Sequence, residues 1–129
     1  MTLYDPIARI YDPWSRSVTE DIGFYADYAL ASGGPIVELA VGTGRIAIPI
    51  AQAGVPVIGI DASPGMLAVA REAAAAAGVL DLLDLRVGDL ADPPVSERVP
   101  LVICPFRTLL HMPSEAEKLR ALRGARALL

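Results

Sequence analysis

The sequence predicts an α/β fold, an open parallel sheet flanked by helices. Three observations lead there. Short aliphatic runs alternate with amphipathic or alanine-rich segments along the chain, the pattern of strand–helix–strand units. The run "PIVEL" passes into the turn "AVGTG" and then into a helical pattern. The run "VPVIGI" ends at Asp61 and is followed by Ser63-Pro64, a strong helix start. The length, 129 residues, suits a single domain, with 1–34 an opening segment and helix and 35–129 the strand–helix core.

Tyr-Asp-Pro occurs at Tyr4–Pro6 and again at Tyr11–Pro13, too close together for a structural repeat. That stretch reads as irregular or partly helical. Thr19 then caps a helix with Glu20 and Asp21 in its first turn, where acids suit the dipole. Its apolar face is Ile22, Tyr25, Ala26 and Ala29, and Gly33-Gly34 ends it. Pro35 to Leu39 is the first strand, and a helix is expected from about Thr43 to Ala53, kinked by Pro49. The second strand is Val55 to Ile60, and its helix runs from Ser63 through the alanine tract to Gly78. Leu83, Leu85 and Val87 alternate with Asp84 and Arg86, which predicts a half-exposed third strand ending at Gly88-Asp89. "LADPPVSERV" is loop, and Leu101 to Cys104 is a fourth strand. Ser114 and Glu117 form a capping box, and Arg120, Arg123 and Arg126 complement the far end of the last helix.

Composition narrows the function. The chain is 53% hydrophobic and 5% aromatic, so alanine and aliphatic residues must fill the core. A net charge of −4 disfavours binding to a nucleic-acid backbone. Cys104 is the single cysteine, so neither an internal disulfide nor a cysteine-rich metal site is expected. No signal peptide is apparent, and the longest nearly apolar run, Ile46 to Ile60, is too short to span a bilayer. These features predict a cytoplasmic protein with no membrane partner.

The first turn, Gly42-Thr43-Gly44, allows close approach of a ligand to the main chain, and the following helix offers N–H groups to an anion. It could also be an ordinary strand-to-helix turn. Asp61, ending the next strand, can accept both hydroxyls of a ribose. Together these residues indicate a nucleoside, and both NAD and S-adenosylmethionine satisfy them. Three features separate the two. Glu38 lies at the carboxyl end of the first strand, where it would repel a diphosphate and attract an ammonium or sulfonium. Asp89 can accept from an adenine amino group. A helix precedes the first strand, where dinucleotide domains often begin directly with that strand.

The segments "VELAVGTGRIAIPIA", "VIGIDASPGMLAVAR", "LRVGDL" and "LVICPFRTLLHM" occur in order and at suitable distances. They resemble the motifs of class I S-adenosylmethionine-dependent methyltransferases of the small-molecule type. The resemblance implies a Rossmann-like sheet with its four strands in the order 3-2-1-4. It also implies roles at matching positions. Glu38, Ala40, Gly42 and Gly44 would line the methionine end of the cofactor, and Asp61 would hold the ribose hydroxyls. Ala62 and Met66 would pack on adenine or ribose, with Asp89 and Leu90 on the other side of the adenine. Pro105 and Phe106 would border the methyl group and substrate, and Tyr11 would reach the cofactor carboxylate as part of a lid over the site. The expected activity is methyl transfer to a small-molecule acceptor, with no metal. The alternatives are a non-catalytic cofactor-binding half-domain and an NAD-dependent oxidoreductase domain. No catalytic residue is assigned: methyl transfer depends chiefly on positioning, and His111, the sole histidine, would serve as a base only for an acceptor that loses a proton.

The chain departs from the family pattern in four respects. Ala40 stands for the first motif glycine, Pro100 for the acid that commonly starts the fourth strand, and Arg107 for a polar amide after it. The family sheet has seven strands, so the resemblance covers the cofactor-binding half and implies a truncated domain. "LVIC" would then be an apolar edge, which either pairs with a second copy as a homodimer through antiparallel fourth strands or is covered by the last helix.

Overall fold

Four short strands set the architecture. The computed structural model describes residues 22–90, 92–104 and 115–129, with residues 115–118 and 121 described by backbone alone. The elements are α1 (Ile22–Ser32), β1 (Ile36–Leu39), α2 (Ala47–Gln52), β2 (Val57–Asp61), α3 (Pro64–Ala76), a 3₁₀ turn (Leu80–Leu82), β3 (Leu83–Val87), β4 (Leu101–Ile103) and α4 (Glu115–Leu128). The strands pair in parallel in the expected order, β3-β2-β1-β4. Val37 of β1 lies between Ile58 of β2 and Val102 of β4. The expected caps at Thr19 and Ser114 lie outside the described residues.

Every residue of β1 and β2 is buried, as central strands of a parallel sheet require. Alternation along the strands divides their side chains between two cores. On one face Ile36, Val57, Leu83 and Ile103 pack with Ile50 and Ala51 of α2 and Leu67 and Ala74 of α3. Small side chains (Ala29, Ala47, Ala51, Ala70 and Ala74 are all buried) let these helices lie close to the sheet. On the other face Val37, Leu39, Ile58 and Ile60 meet Val99 and Leu128, with Leu90 and Val95 at the margin. That face is covered by the β3–β4 connection and the end of α4, which is tied down where Val99 N–H donates to Leu128 O at 2.8 Å. No helix among the described residues is long and apolar enough to cross a membrane.

Two elements differ from the sequence expectation. The α2 helix starts at Ala47 rather than near Thr43, because the chain from Ala40 to Gly44 is committed to a turn with three left-handed residues. Pro49 therefore stands in the first turn of the helix, where a missing N–H costs no intrahelical bond, and it needs no kink to be accommodated. In β3, Val87 is exposed and Arg86 half-buried, the reverse of the alternation, because Arg86 lies under two carboxylate partners, Asp84 and Glu97. By contrast the start of α3 is as expected: Ser63 Oγ accepts from Met66 N–H at 3.1 Å, with Pro64 opening the helix.

Two backbone positions shape the turn after β1. Ala40 has φ of 58°, in the left-handed region. That conformation costs an L-residue about 1–2 kcal/mol, whereas glycine's extra folding entropy costs about 0.5–1 kcal/mol. Ala40→Gly is therefore expected to raise stability slightly, by under about 1 kcal/mol, as a higher urea midpoint with an unchanged slope. Gly59 of β2 lies directly beside Glu38. A Cβ there would sit 2.9 Å from both Val41 Cγ2 and Leu85 Cδ2, so the residue's bareness lets Val41 fold across β2. Overpacking typically costs about 1–3 kcal/mol, and Gly59→Ala is expected to lower stability by that amount, read as a lower urea midpoint.

Candidate functional site

Because the sheet is parallel, the carboxyl ends of β1, β2 and β3 open onto one rim, where ligands of such sheets bind. Each end delivers one of the residues singled out in the sequence. Glu38 comes from β1, Asp61 closes β2, and Asp89 follows β3 by two residues.

Glu38 is only 2% exposed, and its Oε1 atom is buried from solvent. It shares its side of β1 with Ile36, and its neighbours in register are Gly59 and Ile103. A buried carboxylate is a concentrated negative charge in a low-dielectric setting, and it discriminates strongly between cations and anions.

The turn beyond it runs through Ala40, Gly42 and Gly44, all with positive φ. Two bonds fold it back on the sheet. Val41 N–H donates to Ile60 O at 3.0 Å, and Gly44 N–H donates to Val41 O at 3.1 Å. Gly44 is buried against Ile48, whose Cδ1 would lie 2.9 Å from an added Cβ. Met66 sends its methyl group to within 3.8 Å of the Cβ position at Gly42 and is buried there.

Asp61 fastens this turn. Its Oδ2 accepts from Gly42 N–H at 2.9 Å and its Oδ1 from Ser63 N–H at 2.9 Å. Its main-chain oxygen accepts from Gly88 N–H at 3.1 Å. One residue thus joins the turn after β1, the start of α3 and the end of β3. A carboxylate has about four lone-pair positions, so bonds to backbone are compatible with bonds to a ligand's hydroxyls.

Of the remaining residues, Ala62 and Asp89 are exposed at the rim and Leu90 is half-buried. Asp89 O accepts from Asp92 N–H at 3.1 Å, which turns the chain just after β3. Glu38, Ala40, Gly42, Gly44, Asp61 and Met66 are therefore brought together at the β1 and β2 ends, with Asp89 and Leu90 on the β3 side. Tyr11, Pro105, Phe106, Arg107 and His111 lie outside the described residues. Among the described residues, no cluster of three or more His, Cys, Asp or Glu could hold a metal ion.

Sequence reasoning missed three contributors. Thr43, 4% exposed, is enclosed in the turn. Ser63 anchors Asp61 through its N–H, besides capping α3. Gly59 makes room beside Glu38. A glycine inside a strand pattern was the one available signal for a close approach of this kind.

Residues 36–129 match the methyltransferase domain family. A demethylmenaquinone methyltransferase of Symbiobacterium thermophilum is 35% identical over 104 residues, 71% of this chain and 40% of that protein. The CcbJ methyltransferase from Streptomyces caelestis superimposes with a TM-score of 0.88 at 35% identity, covering 97% of this chain and 52% of CcbJ. The glycopeptide N-methyltransferase MtfA complexed with S-adenosyl-L-methionine superimposes with a TM-score of 0.77 at 26% identity, covering 86% of this chain and 49% of MtfA. The chain thus spans about half the length of these relatives or less. Sheet order, turn and family match coincide, and this chain belongs to the class I S-adenosylmethionine-dependent methyltransferases.

Proposed function

We propose that this chain supplies the cofactor-binding half of an enzyme that transfers a methyl group from S-adenosylmethionine to a small-molecule acceptor. The carrying observation is Glu38, a carboxylate 2% exposed at the end of β1 and next to the glycine turn. A diphosphate brought to this turn would meet the Glu38 carboxylate. A ligand with cationic groups and a ribose diol meets acceptors instead, so the donor set fits S-adenosylmethionine and opposes NAD.

The residues divide the work. Glu38, Ala40, Gly42 and Gly44 hold the methionine end, and the Glu38 charge faces its cationic groups. Asp61 accepts from the ribose hydroxyls, while Ala62 and Met66 bear on the nucleoside from the α3 side. Asp89 and Leu90 form the wall against the adenine, and Asp89 accepts from its amino group. The cofactor, when bound, supplies an electrophilic methyl group on a sulfonium. This chain's part is to orient the cofactor and keep water from its buried end, where positioning lowers the barrier to displacement. Tyr11 as a lid residue, and Pro105 and Phe106 beside the acceptor, complete the site. The small-molecule acceptor is supported by relatives named for demethylmenaquinone and for a glycopeptide.

A second reading, a half-domain that works when paired, draws on β4. Leu101 and Val102 are only half-buried in a strand at the edge of the sheet. On this reading two copies join through antiparallel β4 strands. Sedimentation equilibrium is expected to show a dimer at tens of micromolar, and a monomer throughout would remove the reading.

Calorimetry tests the cofactor assignment. S-adenosylmethionine and its demethylated product are expected to bind, and NAD is not. Glu38→Gln keeps the shape and removes the charge. A hydrogen bond to a charged group contributes about 1.5–3 kcal/mol, so affinity for S-adenosylmethionine should fall roughly tenfold to a hundredfold. Binding of NAD in preference to S-adenosylmethionine would overturn the proposal.

A further inference from the structure

We propose that Arg86 is a positioning residue for the adenine-side wall: by clamping the β3–β4 loop over Gly88 it presents Asp89 to the 6-amino group of the purine. The proposal rests on the cofactor reading above and adds a residue to which no role in the site has been given.

The β3–β4 connection contains Pro93, Pro94 and Pro100, and no helix occurs among its described residues. Three of its residues therefore lack a backbone donor, and Arg86 adds donors from β3. Its Nη1 donates to Pro94 O at 2.8 Å and to Glu97 Oε1 at 3.2 Å, and its Nη2 donates to Glu97 Oε2 at 2.8 Å. On the other side Nε and Nη2 donate to Asp84 Oδ1 and Oδ2 at 3.2 and 2.7 Å. The planar guanidinium thus forks onto two carboxylates and a carbonyl at once, which a lysine cannot reproduce. The Arg86 guanidinium hydrogen-bonded to it holds the Glu97 carboxyl down to about 2, below the ordinary carboxylate range.

Pro94 transmits the clamp to the site. A Cβ at Gly88 would lie 2.5 Å from Pro94 Cδ and 2.8 Å from its Cγ, so the proline ring lies directly on the backbone of residue 88. That backbone is held from the other side by Asp61 O at 3.1 Å. Asp89 is the next residue. Its direction is therefore set between Asp61 and the clamped proline. Exposed ion pairs contribute little to global stability, so the clamp acts on local geometry more than on folding.

The test is purine selectivity, measured by calorimetry with S-adenosylhomocysteine and its 6-oxo analogue, S-inosylhomocysteine. A carboxylate accepts from a 6-amino group and is repelled by a 6-oxo group. The wild-type chain is expected to favour the amino compound at least tenfold. Arg86→Ala, and independently Gly88→Ala, which displaces Pro94 from below, should reduce that preference to under threefold, mainly through weaker binding of the amino compound. Glu97→Ala alters only an exposed residue, keeps the proposal testable should Arg86→Ala not fold, and should lower the preference at least threefold. Retention of the wild-type preference in a folded variant would overturn the proposal. So would equal weakening of both ligands, the mark of a merely structural role, or no preference in the wild type. If the wild-type chain bound neither compound, the cofactor reading would fall first.

Discussion

The carboxylate of Asp61 is the fixed point on which the rim of the sheet depends. Three chain segments leave the sheet at this end. Asp61 accepts an N–H bond from each: Gly42 and Ser63 through its side chain, Gly88 through its main-chain oxygen. The two side-chain bonds are charge-assisted, and such bonds are shorter and stronger than neutral ones, while the start of α3 favours an anion beside it. An amide in the same place would turn one acceptor into a donor facing an N–H. The site is thus preassembled, its turn held in shape by the protein's own bonds.

That rigidity lets two locally unfavourable features stand side by side. Ala40 is left-handed and Glu38 is a buried carboxylate, two residues apart on the chain. Each would relax if β1 were free to shift. It is not, because β1 is paired on both sides and buried along its whole length. Strain and buried charge persist where the surroundings over-determine them, and such places gather at functional sites. The cooperation is mutual. Gly59 leaves room for Val41 to cross β2, and Val41 N–H in turn holds the chain next to Ala40.

Much of this was legible in the residues. Strand–helix alternation led to the parallel sheet, Ser63-Pro64 to the start of α3, and Gly33-Gly34 to the end of α1, because each reflects a local rule. Glu38 stood out as an acid within an aliphatic strand, and Asp61 as one at a strand's end. The length of α2 was not legible, since the turn is fixed by bonds to residues distant in sequence, Gly42 N–H to the Asp61 carboxylate and Val41 N–H to Ile60 O. Nor were the bonds that Arg86 makes to the loop, since it read as the polar half of an alternating strand. Its partners, Pro94 and Glu97, lie in a loop with no periodicity to announce where it folds.

The two faces of the sheet differ in a way that bears on how the site is controlled. One is covered by helices whose burial is apolar and close-packed, so the walls built on β1 and β2 inherit the stability of the core. The other is covered by the end of α4 and by a proline-bearing loop that enters the core through Val99, with Leu90 and Val95 partly buried against it. The Arg86 guanidinium adds a polar attachment, pairing with Asp84 and Glu97 and donating to Pro94 O. Attachment of this kind adds little to folding and much to direction, because it fixes angles at low energetic cost. The β1 and β2 rim is therefore set by packing, and the β3 rim by packing and electrostatics together. Substitutions in the core should disturb both walls together, whereas substitutions in the clamp act on one alone.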